Sequence, residues 1–309
     1  MSAPDGMLAR WGLDGAATQL VAQRENKVWR VEQGGRVVAL RLHRPGYRTQ
    51  AELASELDWL QALHEGGLGV PRPVPGLDGA MLQPLENGYA SVLNWLPGRP
   101  MGVTGTPLDL PDRAGLFRQL GRDMARMHDV SDAWARPAGF ARASWDRAGL
   151  VGEAPLWGRF WENPMLDPRD RALFEGFRAR ADAQLAQIDA TADRGLIHAD
   201  LVRENILIDG AQLHFVDFDD GGFGYRLFDL ATTLFKARPE PDYPVLRDAL
   251  LDGYGAVRAI DTRALDLFIA LRASSYLGWI VPRLSEPGAS ERSQRFLTAA
   301  RELVAQQVA

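Results

Sequence analysis

The segment HADLVRENIL, residues 198–207, contains polar side chains whose types and spacing could support catalysis, above all Asp200 and Asn205. Two short strand-like runs follow, and Asp209-Gly210 between them is typical of a tight hairpin turn. The two runs are residues 205–208 and 213–218. A hairpin returns the chain to its starting point, so we expect Asp217, near the end of the second run, to lie beside this loop. The segment therefore predicts two carboxylates and one amide oxygen at one place.

Oxygen donors of this kind suit a hard cation, and Mg²⁺ is the first candidate. A Mg²⁺ ion held by only a few side chains keeps open positions for phosphate oxygens. A further carboxylate beside it can orient an attacking hydroxyl group and accept its proton. Asp and Asn are also common in turns and caps, but their combination here favours a function. The pattern indicates phosphoryl transfer.

The elements that must position these side chains fall into two parts. Residues 27–32 and 36–42 read as strands joined by a Gln-Gly-Gly turn, and residues 50–64 carry leucines at helical spacing. A Pro-Gly-Arg-Pro break then marks a domain boundary, which predicts domains at 1–97 and 98–309. Helical patterns dominate after the break, at residues 113–128, 168–188, 243–259, 262–283 and 291–308.

Composition excludes several classes of protein. The chain has 309 residues, 46% of them hydrophobic, with a formal net charge of −5 and no cysteine. Thiol catalysis, disulfides and cysteine-bound zinc are thereby excluded, and a nucleic-acid partner is not expected. No signal peptide or membrane span is evident, so we expect a cytoplasmic protein without a membrane partner. Lysine occurs only at Lys27 and Lys236.

The segment HADLVREN resembles the catalytic loop of protein kinases, and Asp217-Phe218 resembles the start of their D-F-G motif. The stretch HADLVRENILIDG with FVDFDDGGFGYRLFDLA is closer still to the aminoglycoside-phosphotransferase-like family. That family includes antibiotic, choline and homoserine kinases and a bacterial stress-response protein kinase. The resemblance implies an α+β, two-lobed protein-kinase-like fold with a small β-rich N-terminal lobe, one main helix in that lobe, and a mostly helical C-terminal lobe.

The same resemblance implies a role for each polar residue of the loop. Asp200 would be the catalytic base, and Asn205 and Asp217 would hold Mg²⁺. His198 would brace the loop through hydrogen bonds, and Asp229 in LFDLA would support the loop from a helix beneath it. The implied activity is an ATP- and Mg²⁺-dependent transfer of the γ-phosphate to a hydroxyl group.

The N-terminal lobe would cover the nucleotide. The family places a lysine on the third strand, paired with a helix glutamate, but this chain has Arg41 at that position. Glu56 is the better partner by spacing, with Glu52 one turn earlier as the alternative. Residues 94–96, which are Asn94, Trp95 and Leu96, would face the adenine.

Departures from the kinase pattern bear on the substrate. Val202 stands where protein Ser/Thr kinases have a phosphate-contacting lysine, and Arg203 next to it is an alternative source of charge. Only 11 residues separate Asp217 from Asp229, which leaves no room for a long activation segment and favours a small hydroxyl-bearing acceptor. The acceptor class remains open between amino acid, amino alcohol and amino sugar.

Three side chains are possible substrate contacts: Asp219, Arg272 and Tyr276. The sequence also leaves other functions open. These are a stress-response type Ser/Thr protein kinase, a nucleotide-binding pseudokinase suggested by the substituted Arg41, and a metal-dependent hydrolase using His198, Asp200 and His214. As a plain strand residue, His214 would point to solvent. The sequence makes no prediction of oligomeric state or of ATP over GTP.

Overall fold

The computed structural model of the protein describes residues 6–23 and 26–308. The chain divides into two compact units, each assembled from separate segments. The first unit comprises residues 1–101, 133–142 and 205–219, and the second comprises residues 102–132, 143–204 and 220–309. The first unit thus adds two later segments to the N-terminal part of the chain. The domain division at 97/98 stays a prediction.

An antiparallel sheet forms most of the first unit, with strand order β1-β2-β3-β6-β4 and β5 paired with β6. Buried and exposed side chains alternate along the central strands, so that Trp29, Val31, Val38 and Leu40 enter a common core. The strands are β1 (Ala17–Gln23), β2 (Lys27–Gln33), β3 (Arg36–Leu42), β4 (Pro73–Val74), β5 (Leu82–Leu85) and β6 (Gly88–Asn94).

Helix α1 (Gln50–Glu65) packs its leucines inward, and the predicted helix is confirmed. It begins at a capping box, in which the Thr49 side chain accepts a hydrogen bond from the backbone N–H of Glu52 and the Glu52 side chain accepts one from the backbone N–H of Thr49. Glu56 lies on the buried side of the helix and is fully buried. The cap therefore holds Glu52 at the helix start and leaves Glu56 to face the interior.

A second sheet in the first unit has the order β11-β10-β7. Its strands are β7 (Arg99–Pro100), β10 (Ile206–Asp209) and β11 (Gln212–Phe215). The predicted hairpin is confirmed, but the prediction that its second strand continues to Phe218 is wrong. Asp217 adopts a left-handed backbone conformation with φ of +67°, which turns the chain out of the strand. Phe218 is buried against the edge of Trp59, with ring centroids 5.1 Å apart.

Helices dominate the second unit, and a small sheet of order β8-β12-β9 accompanies them. All five predicted helical segments are confirmed, whereas helix α5 lies outside those segments. The helices are α2 (Arg113–Ala133), α3 (Arg147–Val151), α4 (Pro168–Ile188), α5 (Arg226–Ala237), α6 (Tyr243–Gly255), α7 (Leu265–Trp279) and α8 (Ala289–Val308). The strands are β8 (Ser144–Trp145), β9 (Arg194–Ile197) and β12 (Gly222–Tyr225).

The order of elements confirms the predicted fold class, an α+β protein with a β-rich N-terminal region and a mostly helical C-terminal part. Within residues 6–23 and 26–308, no helix combines the length and the apolar character that crossing a membrane requires.

Candidate active site

Helix α5 supports the loop that follows β9. The carboxylate of Asp229 accepts hydrogen bonds from the backbone N–H groups of His198, at 2.8 Å, and Ala199, at 2.6 Å. Ala199 has a φ of +63°, a conformation that a residue with a Cβ adopts only when its surroundings hold it there. The two bonds from Asp229 provide that support and fix the path of the backbone into Asp200.

Asp229 is itself held by a buried histidine that sequence reasoning missed. His128 on α2 lies with Nε2 3.0 Å from the Asp229 carboxylate and Nδ1 2.8 Å from the hydroxyl group of Tyr254. Burial, with Arg226 nearby, lowers the pKa of His128 to about 4, so the ring is neutral and donates from Nε2. Burial disfavours the charged form of Asp229, but hydrogen bonds from His128 and the His198 backbone hold its pKa below its usual range.

The side chain of His198 is fully buried within the same loop. Its Nδ1 accepts a hydrogen bond from the backbone N–H of Asp200 at 3.3 Å. The structure therefore places His198 in contact with the loop backbone, where a bracing residue would be. Its role stays a prediction.

Asp200 remains about one quarter exposed at its side chain, 24%, and contacts a fully buried arginine. Nη2 of Arg272 on α7 donates to Oδ1 of Asp200 and also to the hydroxyl group of Tyr276, at 2.9 Å. The pKa of Asp200 is raised to about 6, chiefly by burial; Arg272 lowers it and the nearby Asp220 raises it. A carboxylate with this pKa is ionised at neutral pH and accepts a proton readily.

Arg272 is enclosed by aromatic rings. Its guanidinium carbon lies 4.2 Å from the ring centroid of Trp157 and 4.5 Å from that of Tyr276. Nε and Nη1 of Arg272 are buried and have no hydrogen-bond partner among the described residues. The structure brings Arg272 and Tyr276 to Asp200 and buries both. A direct contact with substrate stays a prediction for either residue.

Asn205 and Asp217 flank the open end of the β10–β11 hairpin in the first unit. Ile206 pairs with Phe215, and the backbone N–H of Val216 donates to the carbonyl oxygen of Asn205 at 3.0 Å. An amide oxygen and a carboxylate are donors that suit Mg²⁺ and leave most of its coordination positions for phosphate and water. Within the described part of the chain, no group of three or more His, Asp or Glu side chains could hold a metal ion. The amide and carboxylate donor types fit Mg²⁺, and the role of Asn205 and Asp217 as its ligands stays a prediction.

Arg41 on β3 forms a buried ion pair with Glu56 of α1. Arg41 Nη1 lies 2.6 Å from Glu56 Oε1, and the two side chains are 6% and 1% exposed. Burial lowers the pKa of Arg41, but Glu56, Asp219 and Asp217 together raise it above its usual value. Of the two candidate glutamates, the structure pairs Glu56 with Arg41. A role for the pair in binding phosphate stays a prediction.

Asp219 faces the same arginine from the loop after Asp217. Its Oδ1 lies 3.7 Å from Nη2 of Arg41. Neither carboxylate oxygen of Asp219 nor Nη2 of Arg41 has a hydrogen-bond partner among the described residues, and all three atoms are buried. Burial and the charge of Glu56 raise the pKa of Asp219. These polar atoms give the first unit hydrogen-bonding capacity that a bound ligand could use.

The segment predicted to face adenine lies at the end of β6. The side chain of Asn94 accepts a hydrogen bond from the backbone N–H of Arg72, so its amide oxygen serves to fix a neighbouring segment. The backbone N–H of Trp95 donates to the carbonyl oxygen of Val37 at 3.3 Å. Trp95 is 37% exposed and Leu96 is half-buried. A nucleotide contact at these residues stays a prediction.

Two further expectations are corrected by burial. Arg203 donates to the backbone carbonyl oxygens of Thr106, at 2.8 Å, and Lys236, at 2.7 Å, and forms an ion pair with Glu240 at 3.1 Å. These contacts occupy its guanidinium, so Arg203 supports the fold rather than supplying charge to phosphate. His214 is 7% exposed, and the expectation that it points to solvent is wrong because the segment at Gly69 lies against its side chain.

Known proteins that are similar to this chain in sequence or in fold include three kinases. A homoserine kinase of Cupriavidus necator is 32% identical over 247 residues, which cover 75% of this chain and 69% of that protein. The solved structure of a microcompartment-associated aminopropanol kinase is 27% identical, with a TM-score of 0.81 over 97% of this chain and 96% of that one. An amicoumacin kinase solved in complex with AMP-PNP, Ca²⁺ and Ami is 21% identical, with a TM-score of 0.74 over 94% of this chain and 88% of that one.

The sequence model of the phosphotransferase enzyme family matches residues 16–268, which is most of the chain. The predicted class of enzyme, a kinase-like phosphotransferase, is thereby confirmed. The chain belongs to the phosphotransferase enzyme family, the family of the aminoglycoside phosphotransferases that the loop motif indicates.

Proposed function

We propose that this enzyme transfers the γ-phosphate of ATP, with Mg²⁺, to a hydroxyl group of a small amino acid, amino alcohol or amino sugar. The environment of Asp200 is the observation that carries the proposal. Its loop is fixed by Asp229, its side chain remains partly exposed, and its pKa of about 6 suits a base that orients and deprotonates a hydroxyl group.

The remaining residues of the motif take the nucleotide roles that the family resemblance implies. Asn205 and Asp217 would hold Mg²⁺, whose charge neutralises phosphate oxygens when it is bound. Arg41, oriented by Glu56, would add a second positive charge, since its Nη2 lacks a hydrogen-bond partner among the described residues. A solved amicoumacin kinase contains AMP-PNP and Ca²⁺, which supports a nucleotide and a divalent cation here.

The class of acceptor rests on the short segment between Asp217 and Asp229 and on the relatives. The absence of a long activation segment in the sequence favours a small acceptor over a protein. The relatives named above are kinases of homoserine, aminopropanol and amicoumacin. Homoserine and aminopropanol are both small molecules with an amine and a hydroxyl group. We also propose that the protein is cytoplasmic and that its two domains meet in the sequence after residue 97.

A panel of acceptors would test the transfer. Wild-type protein with ATP and Mg²⁺ is incubated with homoserine, 1-amino-2-propanol, choline and an aminoglycoside, and ADP release and phosphorylated product are measured. We expect ADP release that requires both Mg²⁺ and one class of acceptor. If the enzyme phosphorylated a protein in a lysate and none of the small molecules, the proposed function would be wrong and a protein kinase would be indicated.

Thermal unfolding separates binding from turnover. ATP with Mg²⁺ at about 100 times its Kd should stabilise the native state by roughly 2.7 kcal/mol, and Asp217→Ala should abolish the part that requires Mg²⁺. Stabilisation without turnover of any acceptor would indicate a pseudokinase. If ATP with Mg²⁺ did not stabilise the wild-type protein, the result would contradict both the proposed phosphotransferase and the pseudokinase.

A further inference from the structure

Arg142 joins α1 to the loop that follows Asp217. Its side chain is 1% exposed, and Nη2 donates to the carbonyl oxygens of Phe218, at 2.7 Å, and Asp219, at 2.8 Å. Nη1 donates to the carbonyl oxygen of Glu52 at 3.1 Å and lies 3.5 Å from Glu56 Oε2. One guanidinium group therefore contacts both the helix that carries Glu56 and the two residues directly after Asp217.

The backbone at Asp217 needs such support. Asp217 has a φ of +67°, in the left-handed region that non-glycine residues occupy only at an energetic cost. Two successive carbonyl groups held by one planar donor fix the direction of the chain directly after this residue. Trp59 packs against Phe218 from the same helix, so apolar packing and Arg142 act on the same short stretch.

Arg142 also completes the charge balance around Glu56. Arg41 Nη1 lies 2.6 Å from Glu56 Oε1, and Arg142 lies on the other carboxylate oxygen. Glu56 is thus held from both sides, which orients its carboxylate toward Arg41. The segment that carries Arg142 is anchored separately, because the backbone N–H of Ala141 donates to the Ser55 hydroxyl group at 2.9 Å.

We propose that Arg142 is a positioning residue for metal-bound nucleotide, and this inference rests on the proposed function. Arg142 acts on Asp217 through the backbone that follows it and on the Arg41–Glu56 pair through Glu56. It thereby fixes the position of Asp217 relative to that pair. Loss of the Arg142 side chain misplaces Asp217, the proposed metal ligand, relative to the guanidinium group of Arg41. A displacement of about 1 Å in a catalytic site can reduce the rate about 100-fold.

The test compares Arg142→Ala and Arg142→Lys with wild type by calorimetric binding of AMP-PNP at several Mg²⁺ concentrations. We expect the alanine variant to bind the nucleotide about 10-fold or more weakly and to need more Mg²⁺, in line with the loss of a charged hydrogen-bonded group. The lysine variant keeps one charge but not the planar fork, so its affinity should fall between the two. The KM for the acceptor should stay unchanged, while kcat and the KM for ATP both worsen.

Arg258→Ala is the matched control. Arg258 forms ion pairs of 2.7 Å with Asp129, Asp132 and Asp193 in the second unit, so its removal should lower stability without changing nucleotide affinity. Nucleotide and Mg²⁺ dependence within twofold of wild type in folded Arg142→Ala would overturn the inference. Should that variant not fold, the same result in Arg142→Lys would overturn it. A wild-type protein that binds no nucleotide would instead overturn the proposed function.

Discussion

Each unit contains a carboxylate that pairs with a buried arginine, Glu56 in the first unit and Asp200 in the second. Their pKa values are nevertheless shifted from the usual range in opposite directions. Burial favours the neutral form of Glu56, but Arg41 and Arg142 outweigh it and lower the pKa of Glu56 to about 2. Burial also favours the neutral form of Asp200, and there Arg272 is outweighed, so that the pKa rises to about 6. The difference lies in the neighbours: Arg41 and Arg142 both lower the pKa of Glu56, whereas at Asp200 the carboxylates of Asp220 and Glu204 oppose Arg272 and Lys236.

The comparison shows how similar ion pairs can serve different purposes. Glu56 is a permanent anion, suited to holding Arg41 in one orientation. Asp200 has the nearby acidic residues Asp220 and Glu204, which raise its pKa further, and it remains partly exposed. A carboxylate that exchanges its proton near neutral pH is suited to act as a base. Charge balance, rather than the presence of an arginine, separates the pKa of Glu56 from that of Asp200, the proposed base.

The largest expected effect is on turnover in Asp200→Asn. The amide keeps the size of the side chain but cannot accept the proton of the acceptor, so kcat should fall roughly 10²- to 10⁴-fold. Steady-state kinetics with the best acceptor measure this, and nucleotide affinity should change little.

Asp209→Asn provides the control for loss of a carboxylate outside the loop that carries Asp200. Asp209 ends β10 and its side chain is 46% exposed, so its kcat should match wild type. Near-normal turnover in Asp200→Asn would show that Asp200 is not the base. The pKa difference between Asp200 and Glu56 would then reflect structure and not catalysis.

The next effect is on stability in Glu56→Gln. Removal of the charge leaves the guanidinium groups of Arg41 and Arg142 buried without their shared anion, and loss of one partner of a buried pair typically costs about 3–5 kcal/mol. Urea unfolding measures the loss. Glu52→Gln, one turn earlier, should cost far less because Gln also serves in a capping box. Equal losses in the two variants would show that the buried pair does not stabilise the first unit.

The fold was predictable where local signals were complete. Helix α4 was expected at residues 168–188 and is found there, because Asp167 caps its start and a proline occupies the first position. Strand β12, with the sequence GFGY, gave no periodic signal. A Cβ on Gly222 would lie 2.2 Å from the carbonyl oxygen of Ala143, so this glycine is required by a close approach that only the folded chain creates.

The candidate site was predictable along the motif and, through the family resemblance, at Arg41 and Glu56. Spacing within HADLVRENIL and the hairpin after it singled out Asp200, Asn205 and Asp217. Arg142 and His128 carry no comparable signal, because their partners are distant in sequence: Arg142 meets a glutamate 86 residues away and His128 meets an aspartate 101 residues away. Such contacts depend on how segments pack, and a single sequence records no pattern for them.

The smallest effect, and the sharpest test of the comparison, is the pH profile of Arg272→Gln. A base must be ionised, so wild-type kcat/KM should fall as pH decreases through about 6, where Asp200 takes up a proton. Arg272 lowers the pKa of Asp200, so its removal raises that pKa and should move the acidic limb to higher pH by about one unit. Activity would then drop at pH 6.5 and recover toward pH 8.5.

Arg272→Lys keeps the charge and should leave the limb near its wild-type position, although Lys lacks the planar group that stacks between Trp157 and Tyr276. A lower activity at every pH with an unmoved limb in Arg272→Gln would mean that Arg272 only orients Asp200. A limb that moves in the glutamine variant and not in the lysine variant would show that its charge sets the proton affinity. Arg272 would then hold the pKa of Asp200 close to the pH at which a base is most useful, whereas Arg41 and Arg142 keep Glu56 ionised at that pH.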